Sequence, residues 1–247
     1  MGKFVLKDAK IYYDGRDLSG ELSNISLEYS AETPDSTTFG ETTRRRLPGL
    51  LNVVANHNGF WDSVSATDDL DGDLFAKIGA GSGLMSMSHE GGLLGNWAFA
   101  FPPIAATYAP GATIGEVFAF ALTVNGDGPL ARGLVMENSV FTVTVNGTAR
   151  QNGAALATDT IRSTVHVVAA SGTTPTLDVT VESDDAVGFV SPVLRLTHPQ
   201  FTAVGANQQS LVGPVTDDWW RLVMTITGTT PSFTVFGSLS IQPTTLP

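Results

Sequence analysis

No cysteine occurs in the 247 residues. Disulfide frameworks, thiolate metal sites and cysteine nucleophiles are therefore excluded. No apolar run reaches the ~20 residues that a membrane-spanning helix needs. The opening stretch turns polar at Lys7-Asp8 and shows no signal-peptide core. Leu6 stands where a myristoylation signal needs Ser or Thr. Positive charge is scarce: 13 Lys and Arg face 24 Asp and Glu, a net charge of −11. That balance argues against a nucleic-acid-binding face. Only 15% of residues are charged and 42% are hydrophobic, which is too apolar for a disordered chain.

What is present is period-2 alternation. Ile25, Leu27 and Tyr29 alternate with Asn24, Ser26, Glu28 and Ser30. Phe118, Phe120, Leu122 and Val124 form one face of 117–124, and Phe141, Val143 and Val145 one face of 140–146. Leu177, Val179 and Val181, then Leu222, Met224 and Ile226, then Phe233, Val235, Leu239 and Ile241 continue the pattern. Each set predicts a half-buried antiparallel strand. One segment departs: Leu70, Leu74, Phe75 and Ile78 have helical spacing, with Thr67 as N-cap and Gly79 as the left-handed stop. The chain is therefore expected to be all-β with one helix. A turn cluster at Gly126-Asp127-Gly128-Pro129 suggests two domains, 1–135 and 136–247, of net charge −7 and −4. No tandem repeat relates them.

Catalytic signatures are missing. The four histidines His57, His89, His166 and His198 show no HxH or HExxH spacing. His166, on the opposite face from Val165 and Val167, is expected to be exposed. The pairs Asp68-Asp69, Asp184-Asp185 and Asp217-Asp218 could serve a calcium site or a glycosidase. Neighbours on a strand point to opposite faces, so adjacency builds no dyad. The 79-GAGSG-83 run follows the helix instead of opening one, which is the wrong geometry for a phosphate loop. No GxSxG elbow occurs. Asn24-Ile-Ser26 and Asn146-Gly-Thr148 match the glycosylation pattern. Trp219-Trp220 offers one ring inward and one outward, which leaves Trp219, with Asp217, as a candidate for surface binding. No enzyme, cofactor or metal is expected.

The most unusual stretch is 31-AETPDSTTFGETTRRRLPGL-50, about twenty polar residues between strand patterns. Segments of this length inside a compact domain are usually functional or disordered. Glu32, Asp35 and Glu41 precede Arg44, Arg45 and Arg46, and Phe39 is its one aromatic. Both signs of charge with one apolar knob suit docking onto another copy of the chain.

Residues 1–135 resemble the tail tube (major tail) proteins of long-tailed bacteriophages. The residues that carry the resemblance are the Asp14-Gly15-Arg16-Asp17-Leu18-Ser19 turn, the pattern Glu32, Asp35, Thr37, Gly40, Arg44 ending in Leu47-Pro48-Gly49, the single helix, and the run from Phe118 to Leu130. Through 165-VHVVAASGTTPTLDVTVESDD-185 and 213-GPVTDDWWRLVMTITGTTPSFTV-235, residues 136–247 resemble the β-sandwich accessory modules of phage structural proteins. The resemblance implies a tube-forming β-sandwich or barrel with a flanking helix, in homo-hexameric rings stacked into a conduit for double-stranded DNA. The expected partners are further copies and the tape measure, terminator and baseplate proteins. The expected location is the virion tail, assembled in the host cytoplasm without membrane insertion. Glu28 and Glu116 are expected to line an acidic lumen. The alternative is a tail-tip adhesin or carbohydrate-binding protein acting through 136–247.

Overall fold

The computed structural model describes residues 6–62, 70–81 and 83–243. In chain order the elements are β1 (Ala9–Tyr13), β2 (Arg16–Asp17), β3 (Leu22–Ala31), β4 (Leu51–Phe60), α1 (Leu70–Ala76), β5 (Met85–His89), β6 (Trp97–Phe101) and β7 (Pro103–Gly111). There follow β8 (Ala119–Gly126), β9 (Ala131–Phe141), β10 (Val145–Asn146), β11 (Arg150–Gln151), β12 (Asp159–Asp184), β13 (Val193–Thr197), β14 (Gly205–Val212) and β15 (Trp219–Pro243). The all-β expectation with one helix holds among the described residues, in two antiparallel sheets.

The chain forms two compact units, and neither is contiguous. Unit 1 comprises Met1–Ser19, Gly83–Ala100 and Ala131–Pro247; unit 2 comprises Gly20–Ser82 and Phe101–Leu130. The boundary expected at 135/136 falls inside β9. The reason is pairing: β9 joins β6 on one side and β15 on the other, and β1 pairs with β5. Residues 6–19 therefore belong with those after residue 130.

Unit 1 is organised by two long strands. β12 and β15 pair antiparallel from Asp159↔Pro243 to Asp184↔Trp219. Run straight, that ladder would span roughly 80 Å at about 3.3 Å per residue, longer than any compact domain of this size. It folds instead. A Cβ added to Gly237 would fall on Leu222, fifteen positions earlier on the same strand. His198 links the halves of β12, with its N–H bonded to the Val179 carbonyl and its Nε2 2.9 Å from Ser163 Oγ. The fold line is a repeated sequence, Gly172-Thr-Thr-Pro175 facing Gly228-Thr-Thr-Pro231. Both glycines and both second threonines have positive φ: 116° and 120° for Gly172 and Gly228, 47° and 48° for Thr174 and Thr230. The ladder register shifts on either side of Thr173. A bulge on each strand thus turns the pair through a corner, and the two halves become facing sheets of a sandwich. Its core holds Val165, Val167, Leu177, Val179, Val181, Trp220, Leu222, Met224, Phe233 and Val235. The alternation predicted at 177–181, 222–226 and 233–239 is present, within two continuous strands instead of several short ones. The strand expected over 140–146 is interrupted, because β9 ends at Phe141 and a turn precedes β10.

His166 is buried, against expectation. Val165 and Val167 face the sandwich core, while the other face of β12 is covered by the turn after β1 and by β5. The Gly15 N–H donates to His166 Nδ1 at 3.3 Å, and Nε2 lies 2.8 Å from Ser86 Oγ. Tyr12 packs on the ring at 5.6 Å. Because Gly15 is a donor, the proton sits on Nε2 and Ser86 accepts it. Burial pushes the ring's pKa down to about 3, so it stays neutral.

Unit 2 is a four-stranded sheet of order β3-β4-β8-β7 with α1. Val53, Ala55 and His57 of β4 lie level with Tyr29, Leu27 and Ile25 of β3 and, on the other side, Ala55 and His57 lie level with Val124 and Leu122 of β8. This apolar face carries α1, whose Leu70 and Leu74 are buried. Tyr108 OH donates to Asp71 at 2.7 Å. Phe75 and Ile78, expected on the inner face of the helix, are exposed. Gly79 has φ 72°, the left-handed stop foreseen. Thr67 lies outside the described residues.

Candidate functional site: a hairpin arm, an open edge and an amide face in unit 2

The twenty residues between β3 and β4 are not a loose loop. The hairpin continues past the sheet as a two-chained arm. Glu32 N–H bonds to the Leu50 carbonyl at 2.9 Å, Gly49 N–H to Glu32 at 2.8 Å, Leu47 N–H to Pro34 at 3.1 Å and Ser36 N–H to Arg45 at 2.9 Å. Asp35 bridges Arg46 in the same ladder. The Asp35 carboxylate accepts from the Thr37 backbone and hydroxyl, which holds its pKa below the usual range. Arg45 pairs with Glu41 at 3.2 Å, and Arg46 donates to Thr33 at 3.2 Å. Arg44 has no ion pair or hydrogen bond among the described residues. The structure thus brings Glu32, Asp35, Glu41, Arg44, Arg45 and Arg46 onto one arm, with Phe39 at its tip. Phe39 is 109% exposed, so it touches nothing in its own chain.

β3 is one outer strand of the sheet. Its ten residues carry no proline and no lysine, and its single charge is Glu28. Among the described residues no strand pairs with its outer edge. Proteins that stay monomeric usually blunt such an edge. β7, the opposite outer strand, is better protected: it holds Pro103 and Pro110, shifts register after Ala105, and is bridged there by Ile78.

The face turned away from α1 is mostly polar, with Val54, Phe60 and Ala121 interspersed. It presents Asn24, Ser26 and Glu28 of β3, Asn52, Asn56 and Asn58 of β4, and Thr123 and Asn125 of β8, all exposed except the half-buried Thr123. Thr123 Oγ1 donates to Asn56 Oδ1 at 3.0 Å across the strands. The four strands contain no Lys or Arg and one carboxylate, Glu28. Glu116, the other expected lumen residue, lies elsewhere, in the exposed connection between β7 and β8.

No family model matches the sequence, and no curated protein matches it. Solved structures with a similar course of chain come from phage-like particles. One is a chain of the native gene transfer agent virion, with TM-score 0.42 and 15% identity over 53% of this chain and 98% of that one. Another is the phage SPP1 Dit protein, described as a paradigm of the hub adsorption apparatus in phages of Gram-positive hosts. It has TM-score 0.42 and 12% identity over 94% of this chain and 99% of that one. The SPP1 tail tube protein has TM-score 0.41 and 8% identity, covering 51% and 76%.

Of the surface-binding candidates in unit 1, Asp217 is occupied by internal bonds. Asp217 accepts from Ser183 Oγ at 2.7 Å and from Arg195 at 2.8 Å, which lowers its pKa. Trp220 is buried and donates to the Gly153 carbonyl at 2.9 Å. Trp219 is half-buried opposite Asp184. The inward and outward split of the tryptophan pair is therefore as expected. Among the described residues no group of three or more His, Cys, Asp or Glu could hold a metal, and no helix is long and apolar enough to cross a membrane.

The residues that the sequence reading missed are the polar partners of Glu28. Three asparagines at even positions of one strand, Asn52, Asn56 and Asn58, were the available signal.

Proposed function

We propose that this chain is a structural protein of a bacteriophage tail, associating with its own copies into rings through unit 2. The observation that carries this reading is β3, a ten-residue strand edge left open in the single chain. Ring closure satisfies such an edge on every copy, whereas a monomer leaves it as an aggregation site. The sequence resemblance supports the tube form, hexameric rings stacked into a conduit. In that arrangement the amide face lines the passage. DNA phosphates then meet Asn, Ser and Thr groups and one carboxylate per copy, Glu28, with no cation to hold them. The protein performs no chemistry and uses no cofactor. Its partners are further copies and the tape measure, terminator and baseplate proteins, and it resides in the virion tail after assembly in the host cytoplasm. The test is electron microscopy of the purified full chain. Rings with a central hole, alone or stacked, are expected. A monomer at all concentrations that binds polysaccharide would overturn the reading in favour of an adhesin.

A further inference from the structure

The strand register places two apolar features at opposite ends of unit 2. At one end, where Ala31 pairs with Leu51 and Pro103 with Gly126, the arm projects with Phe39 at its tip. From Ala31 to Phe39 it extends about 26 Å at about 3.3 Å per residue. At the other end, Gly111 pairs with Ala119 and Ala119 with Phe60. There the β7–β8 connection carries Ile114, 104% exposed, and Val117, 69% exposed, beside the exposed Phe60 and Phe118. Isolated exposed apolar side chains are ordinary, but a cluster of four on one hairpin end is not. Each feature lies beyond the reach of the other within one chain.

The charges match as well. Arg44, on the arm, and Glu116, beside Ile114, each have no ion pair or hydrogen bond to their side chains among the described residues, and they have opposite sign.

We infer that the arm of one copy seats on the β7–β8 end of a second copy, Phe39 against Ile114 and Val117, and Arg44 against Glu116. This rests on the ring-forming reading above and supplies the axial contact between rings. A surface used head to tail in this way does not close on itself, so it propagates. Glu116 is then spent in the contact, and Glu28 alone faces the passage.

The absence of cysteine makes a direct test possible. In the full chain, Phe39→Cys with Ile114→Cys introduces two thiols that cannot meet within one molecule. Mild oxidation is expected to give a reducible ladder of covalent oligomers, while either single variant stops at a dimer. A second test uses charge. Arg44→Glu and Glu116→Arg are each expected to cut the stacked fraction about tenfold at low salt, leaving single rings, and the two together are expected to restore stacking. Rings that form with no ladder, or with stacking unmoved by either charge change, would overturn the axial contact and leave the ring reading intact. A wild-type chain that forms no rings would overturn both.

Discussion

His57 shows at the scale of one residue how the apolar face of unit 2 is built. It lies in β4 between Ile25 and Leu122, 1% exposed, and neither ring nitrogen has a hydrogen-bond partner. Burial alone drives its pKa from 6.5 to about 4. The sign follows directly. The folded state favours the neutral ring, so His57 costs nothing extra above pH 6.5. Stability falls as the pH drops from 6.5 towards 4, by about 3 kcal/mol in all. His198, lowered to about 4, and His166, lowered to about 3, act in the same direction in unit 1. Urea unfolding followed from pH 7 to 4.5 should therefore show a steady loss. His57→Leu should raise stability at pH 7 by about 1–3 kcal/mol, since it removes two unsatisfied buried polar atoms. It should also flatten the acid-side slope of unit 2. Equal slopes in variant and parent would mean that the ring is hydrated in solution. His166 was not legible as buried, because period-2 alternation assigns a residue to a face and cannot say that both faces of a strand are covered.

Among the elements, the corner in β12 and β15 and the hairpin arm carry separable consequences. A Cβ on Gly172 would sit 2.8 Å from the Thr230 carbonyl, and one on Gly228 2.9 Å from the Thr174 carbonyl. With positive φ at both sites, Gly172→Ala and Gly228→Ala should each cost about 1–3 kcal/mol, read as a lower urea midpoint. The arm, in contrast, bonds only to itself among the described residues. Replacing 33–46 by a short turn should leave the urea midpoint within about 0.5 kcal/mol of the parent and should abolish end-to-end association. Most strands were legible in the sequence, because Leu177–Val181, Leu222–Ile226 and Phe233–Leu239 alternate cleanly. Their continuity was not, because Gly-Thr-Thr-Pro reads as a terminating turn when it is in fact a bulged corner. The arm was legible as an anomaly of length and charge. Its internal ladder was not, since polar residues with no buried face carry no period.

On the scale of the whole molecule, chain order and spatial order part company. A turn cluster near 126–129 does end β8, so the sequence marks a real element boundary there. The domain division lies elsewhere, because β1, β2, β5 and β6 complete a sheet whose other members come after residue 130. Such long-range pairing leaves no local trace in composition. A chain ending at residue 135 should therefore fail to fold as a whole. It would keep β1, β5 and β6 but lose β15, the strand that bonds β9 and β12. Its circular dichroism and solubility, compared with the full chain, would show this; a soluble, cooperatively unfolding 1–135 fragment would contradict it. That β15 follows every other strand has one more consequence, for biosynthesis. Unit 2 is fully translated by Leu130, whereas the core of unit 1 waits for residues 219–243 to leave the ribosome. For the time needed to make the last hundred residues, nascent chains on one messenger carry a finished sheet with a bare edge beside an unfinished partner. Slower codons across residues 131–218 are therefore expected to prolong the exposure of that edge and to lower the yield of folded chain.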